Sequence, residues 1–258
     1  GKHSFNLVVD PTGSTPLNAT EVVNALSRLI QHVLPNSVNI PLTLATLNSI
    51  RFLPVKNYER ERLDTAVFQL VAGSHLLWDE TGLEAGKLNE AGLQNVNAIS
   101  KLLREQSVCY DFQYHQTEMH VDYPSVVVST AKSLFKCDCI LPVRAQAPSN
   151  SEAAIRQSPY VPAPLALSLV DMLELCREYF GQLRQLSLQT LCQPVATAIS
   201  ERYAEMRRQQ LPIELQDLSL SMSYARLFAI SHGESEVSYT RWQSTFDLEQ
   251  SRKARLKK

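Results

Sequence analysis

The sequence predicts an α/β layer followed by a helical region, and three observations carry that reading. Between residues 5 and 130, short apolar runs of strand length alternate with longer segments whose apolar residues recur at helical spacing. Residues 144–164, RAQAPSNSEAAIRQSPYVPAP, are rich in Pro, Ser and Ala and poor in large apolar side chains, which marks a linker. Beyond them every apolar pattern is helical. The expected division is an α/β core over 1–143, a flexible linker over 144–164 and a helical region with a basic tail over 165–258.

The elements follow in order. FNLVV, residues 5–9, reads as a buried strand that stops at Asp10-Pro11 and enters the turn DPTGSTP. A helix starts at Asn18 or Thr20, both good caps. Val22, Val23, Leu26, Leu29, Ile30 and Val33 give it an apolar face, and Pro35 stops it. VNIPLTLATL reads as strand, with Pro41 at an edge or an end because it cannot donate to a ladder. Residues 57–70 read as helix, with Leu63, Val67, Phe68 and Leu70 as its stripe. HLLW is a strand, 95–105 a helix, VCYDFQYHQTEMHV a hairpin or two strands, and SVVVST another short buried strand. In the last third, helices are expected from Leu165 to about Gln189, interrupted near Gly181, and from about Pro194 to Gln209. A third holds Leu218, Met222, Ala225, Leu227 and Phe228, and a last one follows Ser238.

Composition limits the function. The chain has 258 residues, 44% hydrophobic, with a formal charge of -1, enough to build a real core. So even a charge gives no general electrostatic reason to expect a nucleic acid or an anionic membrane as main partner. No apolar run approaches the roughly 18 residues needed to span a bilayer. The first residues lack the layout of a signal peptide and read like the inside of a larger protein. Five scattered cysteines favour a reducing compartment. Cys137 and Cys139, with His115 and His120, are a loose match to zinc-ligand spacing, and the plainer reading is a strand cysteine pair and two surface histidines. No metal and no cofactor are expected.

The segment with chemical character is SHLLWDETGL, residues 74–83, an apolar run ending in Asp79 and Glu80. In a nucleotide-hydrolysing protein one such acid holds Mg²⁺ and the next orients the attacking water. Four stretches together resemble the minichromosome maintenance (MCM) complex-binding protein family: GKHSFNLVVDPTGSTPLNATEVVNALSRLIQHVLP, SHLLWDETGLEAGKLNEAGLQNVNAISKLL, VCYDFQYHQTEM and YARLFAISHGESEVSYTRWQ. That family is similar to a degenerate relative of the MCM helicase subunits, which carry an AAA+ ATPase domain. The resemblance therefore implies an AAA+-like α/β module with a helical lid. It also shows what has been lost. The MCM phosphate loop reads roughly G-D-P-x-x-x-K-S. Here Asp10 and Pro11 agree, but Val9 replaces the Gly, Thr15 the Lys and Pro16 the Ser. The lysine would hold the β- and γ-phosphates and the hydroxyl would bind Mg²⁺, while Pro16 also lacks the N–H of a phosphate cradle. By the same resemblance Thr130, next to Ser129, occupies the neighbourhood of a sensor Asn. Arg226 is the counterpart of a lid arginine, read here as an ordinary helix arginine or an ion-pair partner.

The acids Asp79 and Glu80 are thus expected to be a remnant, serving as caps at a strand end or as contacts at a subunit boundary. The resemblance implies a non-catalytic protein that binds MCM helicase subunits and mimics one. It would stabilise new subunits in a chaperone-like role, assist release from chromatin in DNA replication, and bear on sister chromatid cohesion. A nuclear location with a cytoplasmic pool goes with it. The alternative is a divergent ATPase whose phosphate loop a partner completes. A third reading, DNA binding through the tail RKARLKK, is weaker, because such tails are more often solvated or import signals. Exposed large aromatic residues make good partner anchors, and Trp78, Trp242, Tyr58 and Phe246 are the candidates, with Trp78 expected in the core. Trp242 and Phe246, four apart on the final helix, either pack that region or anchor a partner.

Overall fold

The structure, a computed structural model, describes residues 3–10, 18–144, 169–186, 191–209 and 215–256. In chain order the elements are β1 (Phe5–Val9), α1 (Ala19–Val33), β2 (Ser37–Pro41), α2 (Leu44–Ser49), β3 (Val55–Asn57), β4 (Arg62–Asp64), β5 (His75–Asp79), α3 (Glu90–Glu105), β6 (Ser107–Asp111), β7 (Gln116–His120), β8 (Ser125–Ser129) and β9 (Cys139–Val143). The helices α4 (Leu169–Gln185), α5 (Gln193–Arg208), α6 (Leu215–Ser231) and α7 (Tyr239–Leu256) follow. The chain divides into two compact units, 1–168 and 169–258.

The first unit is an α/β layer. Its main sheet has five strands in the order β2-β5-β8-β1-β9, and every neighbouring pair is parallel. Both faces are covered, as parallel sheets require. The pleat sorts the side chains. Leu76, Trp78 and Val127 face a core completed by Leu47 of α2 and by Ile99, Leu102 and Leu103 of α3. Leu77, Val126 and Val128 face the other way, onto Val23, Leu26 and Ile30 of α1. Leu29 falls outside the buried stripe of α1 and is 57% exposed. Asn18 caps α1 by accepting the Thr20 N–H at 3.1 Å. Pro41 ends β2, the edge strand, where its missing N–H breaks no ladder.

The joint between α2 and α3 rests on close approach and buried amides. Asn89 caps α3 by accepting from Gly92 N–H at 2.7 Å, and its own N–H donates to Asn48 Oδ1 at 3.0 Å. A β-carbon on Gly92 would lie 2.3 Å from Asn48 Oδ1, so any larger residue would displace the Asn48 side chain from its bond to Asn89 N–H. One turn on, the buried Asn95 donates to the Leu47 and Ile50 carbonyls, both at 2.8 Å, and accepts from Phe52 N–H at 3.3 Å. That single side chain satisfies backbone groups at the end of α2 that no helix bond reaches.

Three expectations are corrected. Residues 57–70 form no helix. They make the β3–β4 hairpin and a loop that delivers Phe68 into the core, with Val67 and Leu70 packed against it. Local polar bonds win over the apolar spacing: Asn57 Oδ1 accepts from Arg60 N–H at 3.1 Å, and Glu61 takes a left-handed φ of 49°. The second half of VNIPLTLATL is the short helix α2, because Thr43 and Thr46 form a reciprocal capping box. Helix α4 runs through Gly181 without a break; among the described residues no atom outside the helix comes within 4 Å of a β-carbon placed there. The four-stranded second sheet, β4-β3-β6-β7, contains the expected β6–β7 hairpin. The stretch 145–164 and the predicted helix start at 165 lie outside the described residues.

In the second unit, Ile199 of α5, Ala225 and Ala229 of α6 and Trp242 of α7 form a small core, joined by Val237 from the α6–α7 loop. No helix of the described residues is long and apolar enough to cross a membrane.

Candidate functional site

Parallel strands put all their carboxyl ends on one edge of the sheet, and that edge is where open α/β sheets bind ligands. Here it gathers Val9 and Asp10 at the end of β1, Asp79 and Glu80 at the end of β5, and Ser129 and Thr130 at the end of β8. β8 lies between β5 and β1, so the acid pair and the expected phosphate-loop strand flank the strand with the expected sensor position. Pro11, Thr15 and Pro16 lie outside the described residues.

The side chains at this edge are engaged with one another or with nearby backbone. Val9 is fully buried against α1. Asp10 pairs with Arg144, Nε to Oδ2 at 3.0 Å, just past β9. Asp79 Oδ1 accepts two bonds from Thr81, from the backbone N–H at 2.9 Å and from the hydroxyl at 2.6 Å. This caps the turn that leaves β5. Glu80 is only 6% exposed, and its Oε1 accepts from the Ser133 hydroxyl at 3.0 Å. Burial pushes its carboxyl above the usual range, opposed by the Ser133 hydroxyl and the Leu134 N–H. The Ser129 hydroxyl is shared between Asn6 Oδ1 at 3.0 Å and the Ala131 carbonyl at 2.9 Å. Thr130 is exposed.

The two acids therefore do different jobs. Asp79 fixes the start of the loop after β5, and Glu80 fixes the loop after β8. An acid that activates water must aim a free lone pair into open space. Glu80 instead sits in a buried contact whose environment disfavours its charged form. The partners Thr81, Ser133, Asn6 and Arg144 were not picked out by sequence reasoning. Two left a trace: Thr81 stands two residues after Asp79, the spacing of a side-chain turn, and Asn6 is a polar residue inside an apolar strand. Ser133 and Arg144 left none, since their pairing is set by tertiary structure alone.

At the opposite edge, the amino ends of β1, β5 and β8 line an apolar cavity of about 160 Å³ with Ile30 of α1 and Leu34 just past it. It is smaller than the roughly 300–1,000 Å³ of ordinary small-molecule sites. No group of three or more His, Cys, Asp or Glu among the described residues is arranged to hold a metal. Cys137 lies beside β9 with its thiol pushed up to about 11 by burial, and His115 and His120 are exposed.

In the second unit, Arg226 is half-buried on α6. Its Nε is enclosed and without a hydrogen-bond partner among the described residues, and the side chain borders an open depression with Met222 and Ser223. Of the two roles open to Trp242, packing is the one its burial supports. It is fully buried, donates its indole N–H to Ser221 Oγ at 3.3 Å and stacks on Phe246 with ring centroids 5.5 Å apart. Phe246 is partly buried against the same core. Two aromatics one helical turn apart on α7 pack against each other, and Phe246 keeps part of its surface accessible.

Comparison with known proteins places this geometry. The chain is 33% identical over 258 residues to a mini-chromosome maintenance complex-binding protein of Arabidopsis thaliana, covering 100% of this chain and 41% of that protein. It is 34% identical to the protein of that name from Mus musculus and 33% identical to the one from Homo sapiens, covering 99% of this chain and 38% of each relative. The chain thus spans about two fifths of the length of these curated relatives. Residues 1–256 match the family described as Mini-chromosome maintenance replisome factor, and the chain belongs to that family.

Proposed function

We propose that this chain is a non-catalytic, AAA+-like body that binds MCM helicase subunits by standing in the place of one of them. The relatives are named for binding the mini-chromosome maintenance complex. One observation carries the non-catalytic part: at the carboxyl edge of the sheet, Asp10, Asp79, Glu80 and Ser129 are all engaged internally. The sequence adds that the lysine and hydroxyl of a phosphate loop are replaced by Thr15 and Pro16. A scaffold of this kind keeps the side surfaces of a subunit while losing the chemistry between subunits.

In this reading residues 1–143 are the degenerate core, 144–164 a linker and 165–258 the lid. The protein caps an open assembly, because a ring closes only when each member offers two complementary faces. Stabilisation of new subunits, unloading of the complex during replication and a nuclear location with a cytoplasmic pool follow from that role. The test has two arms. Capture of individual MCM subunits on the immobilised chain is expected to retain at least one. The purified chain is expected to bind no Mg·ATP alone, and its addition is expected to leave the Mg·ATP binding of that subunit no larger than the subunit shows by itself. Mg·ATP binding that disappears in Asp79→Asn would replace this reading with a partner-completed ATPase. Failure to retain any subunit would remove the mimicry.

A further inference from the structure

The half-buried charges of the second unit are settled in pairs, with one exception. Its half-buried cations among the described residues are Arg202, Arg226, Arg241, Arg252 and Lys253. Arg202 meets Glu205 at 3.0 Å, Arg241 meets Glu234 at 2.7 Å, Arg252 meets Glu249 at 2.6 Å and Lys253 meets Asp217 at 2.8 Å. Arg226 meets no carboxylate among the described residues, and its Nε is closed off from water with no acceptor in reach. A cation drawn partly out of water, with a donor that neither water nor protein satisfies, destabilises the free chain. An arriving anion relieves it.

The helix around Arg226 has the composition of a covered helix. Of the 17 residues of α6, only Asp217 and Arg226 carry charge, and Asp217 is held by Lys253. A helix so poor in charge round its circumference is one that other surfaces cover. Ile199 of α5 and Trp242 of α7 cover part of it. The flank they leave open shows Leu227, 45% exposed, and an open depression of about 240 Å³ lined by Leu218, Ser219, Met222, Ser223 and Arg226. The spacing of 219, 223, 226 and 227 places these residues on one side of the helix. The open faces of α5 and α7 instead carry exposed charges, among them Glu201, Arg208, Asp247 and Arg255.

The depression selects its occupant by charge. One guanidinium lines it, with no second cation and no acid. A single carboxylate matches that fork in charge and in its two parallel hydrogen bonds. A nucleotide triphosphate would bring several negative charges to one cation, with no second basic side chain in the depression to share them. Leu218, Met222 and Leu227 offer apolar contact around the charge. We infer that Arg226 is the anchor on α6 for an Asp or Glu side chain, set among apolar residues, of a partner polypeptide. The inference rests on the reading that the chain binds MCM subunits, and it names the chemistry of one contact.

The experiment measures the affinity of the immobilised whole chain for the MCM subunit it retains, as wild type and as Arg226 variants. Arg226→Ala is expected to weaken binding at least about tenfold. Arg226→Lys, which keeps the charge and loses the fork, should lie between wild type and Arg226→Ala, and Arg226→Glu should bind more weakly than either. Arg226→Met, which keeps the apolar stem and drops the charge, should bind as poorly as Arg226→Ala yet unfold in urea at no lower midpoint than wild type. A benzophenone cross-linker placed at Leu227 is expected to label a partner segment containing an Asp or Glu, and changing that acid to Lys should restore binding to Arg226→Glu. Affinity unchanged by Arg226→Ala, a labelled segment without an acid, or a lower urea midpoint for Arg226→Met overturns the assignment and leaves the capture result standing. So does Mg·ATP binding or dimerisation of the free chain that Arg226→Ala abolishes. If the wild type retains no subunit, the mimicry and this contact fall together.

Discussion

If Asp79 is a turn cap rather than a catalytic acid, its removal must cost stability in proportion to the bonds it makes. Asp79 Oδ1 accepts from Thr81 N–H at 2.9 Å and Thr81 Oγ1 at 2.6 Å, at a half-buried position. Side-chain caps of this type are worth about 0.5–2 kcal/mol. With two donors on one oxygen, Asp79→Ala is expected to cost about 1–2 kcal/mol. Asp79→Asn keeps an acceptor oxygen and is expected to cost less than about 0.5 kcal/mol. Thr81→Ala removes only the hydroxyl bond, so the Asp79→Ala/Thr81→Ala cycle should show coupling on the order of 0.5–1 kcal/mol. The assay is urea unfolding followed by tryptophan fluorescence. The chain has two tryptophans, Trp78 in the first unit and Trp242 in the second, so a Trp242→Phe background isolates the first. At a slope of about 2 kcal/mol/M, the Asp79→Ala midpoint should fall by about 0.5–1 M. A midpoint unchanged by Asp79→Ala, with Mg·ATP binding lost, would refute the capping argument.

Asn95→Ala leaves the Leu47 and Ile50 carbonyls and the Phe52 N–H without their buried partner; the expected cost is about 3–5 kcal/mol, read from the same urea titration. Glu80 has a raised folded pKa, so the folded state holds its proton more tightly than the unfolded one. Its contribution is present below the unfolded value of 4.5 and falls as pH rises through the raised folded value. Glu80→Gln keeps an acceptor for Ser133 and should gain stability relative to wild type as pH climbs from 4 to 7, seen as diverging midpoints in a pH series of urea melts; parallel curves would contradict it.

Local chemistry made much of the fold legible. Asn18 before an apolar helical stripe, the run FNLVV ending at Asp-Pro and the β-rich SVVVS each match an element to within a residue or two. Residues 57–70 misled because their apolar spacing is fitted by a helix, whereas Phe68 reaches the core from a loop and Asn57 nucleates a turn. Gly181 was expected to break α4, but a single glycine in an otherwise helical run costs only about 1 kcal/mol. At the candidate site the acids were visible and their partners were not. Asp10 and Arg144 are brought together by the pairing of β1 with β9, and Glu80 meets Ser133 across the β5–β8 pair. No sequence pattern encodes such long-range meetings. Trp242 illustrates the same limit, since helical spacing puts it on a face with Phe246 but does not say which way that face points.

The strand order has a cost during synthesis. β1 hydrogen-bonds only to β8 and β9, and the Ser4–Asp138 bond beside it joins residues 134 apart. At translation speeds of about 5–20 residues per second, β1 waits roughly 6–24 s before its first neighbour, β8, has been made. During that interval both its edges are unsatisfied and Val9 has α1 but no neighbouring strand for cover, so the nascent first unit should be the stage most prone to aggregation and most dependent on holding factors.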